Sequence, residues 1–205
     1  MSDFNSLTAS ELGDMIGQGE IDPVELTKHF LSRIETSPIG KKIYSTVTSQ
    51  LALEQAKDAK KRAISGRRLS SLDGVPISWK DLFDIEGYPC EAGSELLAGR
   101  LANQNCEVYN LAEAQGLICL GKTHMSELAF SGLGLNPVRE TPPCVNYPES
   151  VPGGSSSGAA TSVSFGLAAA GIGSDTGGSV RIPAAWNDLV GFKTTAGKLS
   201  LDGIV

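Results

Sequence analysis

The chain has 205 residues, the length of one ordinary domain, and 40% of them are apolar, enough to build a buried core. Seventeen Lys and Arg against 23 Asp and Glu leave a formal charge of −6, which argues against a nucleic-acid-binding surface. The polar, acidic N-terminus and the absence of a long apolar run lead us to expect a cytoplasmic protein with no signal peptide and no membrane partner.

Two helix starts come first. Thr8 to Glu11 forms a capping-box pattern, and Asp22-Pro23-Val24-Glu25 forms another with Pro at the first helical position. The second predicts a helix to about Glu35 with Val24, Thr27, Leu31 and Ile34 on one face. Gln50 to Ser65 reads as a third helix, stopped by Gly66 and carrying Asp58 and Arg62 at i,i+4 spacing. Val108, Leu111, Ala112 and Gln115 predict a further helix ending at Gly116.

Strands are expected at Val75–Trp79, Leu117–Leu120, Ala168–Gly173 and Val190–Lys193, and a small-residue helix from Ser157 to about Leu167, between two layers. Strands alternating with helices give an α/β fold with a mixed, largely parallel central sheet covered by helices. We treat residues 1–205 as one domain, mostly helical over 1–66 and α/β over 67–205. The four cysteines, Cys90, Cys106, Cys119 and Cys144, show neither C-x-x-C spacing nor a metal pattern with His29 and His124. Buried free thiols and no bound metal are the expectation.

Gly116-Leu117-Ile118-Cys119-Leu120-Gly121-Lys122-Thr123 matches the phosphate-loop pattern G-x-x-x-x-G-K-[ST]. That loop must follow a strand and open a helix. Here an apparent helix precedes it and its interior is Leu, Ile, Cys and Leu, so a buried strand and no nucleotide cofactor are expected.

The last third carries the chemistry. Between Ser150 and Val180 the one charged residue is Asp175, and Gly, Ser and Thr alternate with Ala, Val, Leu, Ile and Phe. Such a segment is packed rather than a linker, and it permits the close backbone approach and free amides that a hydroxyl nucleophile needs. A Gly-Gly-Ser-Ser string alone reads as a loop, and a lone Lys-Asp pair as a surface feature. Three elements in one order change that reading: Asp73-Gly74-Val75-Pro76-Ile77-Ser78-Trp79-Lys80-Asp81, then Gly153-Gly154-Ser155-Ser156-Ser157-Gly158, then Gly173-Ser174-Asp175-Thr176-Gly177-Gly178-Ser179-Val180-Arg181-Ile182-Pro183. Together with Gly121-Lys122-Thr123, Met125, Glu127 and Gly191-Phe192-Lys193-Thr194-Thr195, they resemble the amidase signature family of serine amidohydrolases over nearly the whole chain.

The resemblance implies a Ser–Ser–Lys triad of Ser179 as nucleophile, Ser155 as bridge after a cis peptide, and Lys80 as base. Lysine serves as a base at neutral pH when burial lowers its pKa. It implies an oxyanion hole from the backbone N–H groups of Thr176, Gly177, Gly178 and Ser179, with Asp175, Arg181 and Ser156 in supporting roles. The implied substrate is a small carboxylic amide, cleaved without cofactor or metal to acid plus ammonia or amine.

Ser157, Ala159, Thr194 and Trp186-Asn187-Asp188 depart from the family pattern without removing a triad residue. His124 stands where the family commonly has Asn, and neither histidine reads as catalytic. Family members run considerably further, so the chain is expected to be the N-terminal part of the family domain. It would then be a fragment, the half of a pair with a completing chain or a second copy, or a remnant that binds other chains without catalysis. Within the family the alternative is the glutaminase-like A subunit of a tRNA-dependent amidotransferase.

Overall fold

Thr8 begins the first helix as the sequence predicts: its backbone N–H donates to Glu11 Oε2 at 2.7 Å and its Oγ1 accepts from the Glu11 amide at 3.2 Å. The computed structural model describes residues 4–205; the first three residues of the polar N-terminus lie outside the described residues. Helix α1 spans Ala9–Gln18 and closes on Gly19 in the left-handed region. Helix α2, Pro23–Thr36, is capped by Asp22, whose carboxylate accepts from the Val24 amide at 2.8 Å. Its buried face is Leu26, Thr27, Phe30 and Ile34, so the expected stripe is rotated: Val24 and Leu31 are half-buried at its margin. Phe30 brings the larger apolar area and sets that rotation.

A short helix α3 (Gly40–Ile43) leads into strand β1 (Tyr44–Val47), neither of which the sequence patterning announced. Helix α4 follows at Ser49–Ile64, and Gly66 turns the chain with φ 66°. Its expected Asp58–Arg62 pair does not form. Asp58 pairs with Lys61, and Arg62 makes a two-pronged contact with the buried carboxylate of Asp73 at 2.7 and 2.8 Å. Arg62 gains more from a bidentate, desolvated partner than from an exposed one on its own helix.

Strands β2 (Pro76–Lys80), β3 (Ile118–Thr123) and β4 (Ala170–Ile172) complete a four-stranded sheet in the order β1-β3-β2-β4. β2 is parallel to both β3 and β4, and β1 is antiparallel to β3. The architecture is thus α/β with a mixed, largely parallel sheet. Helix α5 (Glu107–Ala114) precedes β3, and Gly116 has φ 82° between them. β3 runs unbroken through Lys122 and Thr123, so the stretch resembling a phosphate loop is a strand. The core is centred on Trp79, with Phe83 and Tyr109 at ring-centroid distances of 5.6 and 5.2 Å.

Helix α6 (Ser157–Ser164) packs on the sheet through Ser157, Gly158, Ala159, Thr161 and Ser162. A Cβ at Gly158 would lie 2.6 Å from the His124 carbonyl oxygen and 2.7 Å from that of Ile43, so only glycine permits this approach. The expected second layer is incomplete. Ala160 and Val163 on the other face line an open depression of about 560 Å³. Helix α7 (Arg181–Trp186) forms where no helix or strand was expected, and the predicted strand Val190–Lys193 is absent. That segment packs on α7 through Gly191, whose Cβ position would fall 2.7 Å from Ala184 Cβ, and this leaves Val190 98% and Phe192 78% exposed. The residue pattern suits a strand, but among the described residues no strand lies beside it to supply hydrogen bonds. All four cysteines are free and buried.

Candidate active site

Lys80 is the last residue of β2, at the carboxyl end of a parallel strand, where α/β sheets place their ligands. Its side chain is fully buried. The amine donates to Ser155 Oγ at 2.7 Å and to Ser174 Oγ at 2.8 Å. Both partners are hydroxyls, so among the described residues no contacting group carries a charge to compensate an ammonium. Burial pushes the Lys80 pKa down to about 7, opposed by the negative charge of Asp175. Ser174 has no role in the sequence expectations. The available signal was its place between Gly173 and Asp175, at the exit of a predicted strand.

Ser155 follows the cis Gly154–Ser155 peptide and is completely buried. Its carbonyl accepts from the Ser126 amide at 3.1 Å, and Gly153 and Gly154 donate to the Leu133 and Gly132 carbonyls at 3.0 and 2.8 Å. Ser156 joins the two serine segments. Its amide donates to the Ser179 carbonyl at 3.1 Å and its Oγ to the Ser174 carbonyl at 3.3 Å.

Asp175 organises the loop that carries Ser179. Its carboxylate accepts from the amides of Gly178 (2.9 Å), Val180 (3.0 Å) and Arg181 (3.2 Å), and from the Arg181 guanidinium at 2.9 and 3.0 Å. The guanidinium, then these amides, hold the carboxyl far below the usual carboxylate range, against the effect of burial.

The same contacts correct one expectation: the Gly178 amide is committed to Asp175 and does not point to an anion. The amides of Thr176, Gly177 and Ser179 have no hydrogen bond among the described residues. The structure therefore brings Lys80, Ser155 and Ser174 into direct contact. Ser179 is held one residue away through Ser156, and its hydroxyl makes no hydrogen bond among the described residues. No group of three metal-ligating side chains occurs among the described residues, and no helix there is long and apolar enough to cross a membrane.

Comparison with known proteins gives the family. The Amidase family model matches residues 25–205. The A subunit of glutamyl-tRNA(Gln) amidotransferase from Acinetobacter baumannii (strain ATCC 17978) is 36% identical over 208 residues, covering 100% of this chain and 42% of the relative. Its counterpart from Anaeromyxobacter dehalogenans (strain 2CP-C) is 39% identical over 197 residues, covering 95% of this chain and 40% of the relative. Among solved structures, peptide amidase from Stenotrophomonas maltophilia superposes with a TM-score of 0.91 at 30% identity, covering 98% of this chain and 43% of that one. The chain belongs to the amidase family, and it spans about 42% of the length of these curated relatives.

Proposed function

We propose that the chain carries the acyl-transfer centre of an amide hydrolase, one that cleaves a non-peptide carboxylic amide to acid plus ammonia or amine. The observation that carries this reading is the 2.7 Å contact between a fully buried, uncompensated Lys80 amine and Ser155 Oγ. A neutral Lys80 takes the proton of Ser155 as Ser155 takes that of Ser179, and Ser179 Oγ attacks the amide carbon. The tetrahedral oxyanion lies on the free amides of Thr176, Gly177 and Ser179. Its collapse expels the amine, which receives the proton back from Lys80 through Ser155. Water then repeats the sequence on the acyl-Ser179 ester and restores the free hydroxyl.

A fluorophosphonate probe tests the assignment. Labelling of the peptide containing Ser179, abolished in Ser179→Ala, is the expected result. Labelling of Ser155 with Ser179 untouched would overturn it.

A second reading, the A subunit of a tRNA-dependent amidotransferase, is favoured by the 36–39% identity to proteins of that name. In that role the centre would release ammonia from glutamine or asparagine together with partner chains. Ammonia release from glutamine that depends on added partner chains, with no turnover of simple amides, would select it.

A further inference from the structure

Lys80 and Lys122 are the two buried lysines among the described residues, and the mechanism uses only the first. Lys122 donates to the Pro89 carbonyl at 2.9 Å and pairs with Asp81 Oδ1 at 2.9 Å, both side chains being almost wholly shielded from water. Asp81 is the residue after Lys80. Its other oxygen accepts from the Glu91 amide at 3.2 Å, its own amide donates to the Thr123 carbonyl at 3.0 Å, and its carbonyl accepts from Ala92 at 2.9 Å. On the other side of Lys80, Thr123 Oγ1 donates to the Trp79 carbonyl at 3.1 Å.

Both neighbours of Lys80 are therefore bonded to the end of β3, Trp79 to Thr123 and Asp81 to Lys122 and Thr123. The network continues to the second member of the site. Leu128 donates to the Ala92 carbonyl at 2.9 Å, and Ser126, two residues earlier, donates to the Ser155 carbonyl at 3.1 Å. A buried ion pair is a weak source of stability, since desolvation offsets its attraction. What it adds over an apolar pair is a hydrogen bond directed at the Pro89 carbonyl and a charge attraction that holds Asp81 Oδ1, which has no aligned hydrogen bond of its own among the described residues, against the end of β3.

We propose that the Lys122–Asp81 pair is a positioning device for Lys80, fixing the end of β2 so that the Lys80 amine stays on Ser155 and Ser174. The inference rests on Lys80 being the base. The titratable groups around the pair are Glu91, bound to Arg139, Asp84, bound to Arg100, and the thiols of Cys90, Cys106 and Cys119; Asp175 is the charge facing Lys80.

The test is an NMR titration of the lysine side chains, with the Lys80 signal assigned by its loss in Lys80→Met. In the unaltered protein the Lys80 signal should titrate near 7. In a Lys122→Met/Asp81→Asn protein that still melts cooperatively, its midpoint should rise by about one pH unit or more, as the freed amine gains solvation. A low midpoint that stays put in the folded double variant overturns the positioning role and leaves the base role intact. An ordinary lysine midpoint in the unaltered protein overturns both. If the double variant does not fold, Asp81→Asn alone is read in the same way. Failure of both to fold assigns the pair to the fold and removes it from the site.

Discussion

The Ser156 amide donates to the carbonyl of Ser179 at 3.1 Å, so the residue after the proposed bridging serine is bonded directly to the residue proposed as nucleophile. The hydroxyl of Ser156 contributes only a 3.3 Å contact to the Ser174 carbonyl. The backbone donor should therefore matter more than the side chain. Ser156→Ala should keep fluorophosphonate labelling within about tenfold of the unaltered protein, the equivalent of one modest hydrogen bond. Ser156→Pro, which deletes the N–H, should abolish labelling; equal effects of the two substitutions would contradict this.

Lys80 has a lowered pKa, and the sign of its pH effects follows. Above about 7 the folded protein holds it neutral, while the unfolded chain keeps it protonated up to its ordinary value of 10.5. The unfolded state then binds more protons in that window, so stability rises with pH through it. Lys80→Met should accordingly raise the melting temperature most at or below pH 7, with the advantage shrinking toward pH 10. Labelling of Ser179 should rise with pH through about 7 in the unaltered protein, and Lys80→Arg should not restore it, because guanidinium keeps its proton. A Lys80→Arg protein that labels normally would refute the base role.

Arg181 neutralises Asp175, the charge that opposes the lowering of the Lys80 pKa. Removing the guanidinium leaves the carboxylate less compensated, which favours the ammonium form of Lys80. Arg181→Ala should thus shift the pH midpoint of Ser179 labelling upward, and Arg181→Ala combined with Asp175→Asn should bring it back down. An Arg181→Ala profile with an unchanged midpoint and only a lower plateau would mean that Arg181 shapes the loop without tuning the lysine.

Ser174 shares the Lys80 amine with Ser155 at nearly equal distance. Ser174→Ala should slow labelling of Ser179 by about tenfold, and Ser174→Thr, which retains the hydroxyl, should recover most of it. Indifference to both substitutions would show that the second hydroxyl is incidental.

The parts readable in the sequence are those fixed by local rules. Thr8, Asp22, Pro23 and Gly66 punctuate helices by capping and turn chemistry that acts within a few residues, and the helices they bound lie where that chemistry puts them. The parallel strands β2, β3 and β4 overlap the apolar runs expected of them; β2 and β3 are buried along their whole length, and strands covered on both faces read as continuous hydrophobic stretches, whereas β4 is only half-buried. The misses are all questions of long-range partnership. Val190–Lys193 has strand composition but packs a glycine on α7, and β1 is a strand because β3 lies beside it. Arg62 had a partner four residues away and took one in a loop. Ser174 and the occupied Gly178 amide depend on where the Asp175 carboxylate and the Lys80 amine converge, which spacing along the chain does not encode.

Helix α6 packs its buried face with nothing larger than threonine: Ser157, Gly158, Ala159, Thr161 and Ser162. There is almost no volume to remove from that face, and the space beside Gly158 is already taken by two carbonyl oxygens. Mutational damage there is one-sided: side chains can be enlarged into a collision, but hardly trimmed into a void. Among enlarging substitutions, a scan of this face should rank variants by added volume, with hydrophobicity a poor guide. Ser162 is the exception to harmless trimming, since its Oγ is bonded to the buried Ser78 Oγ at 2.7 Å.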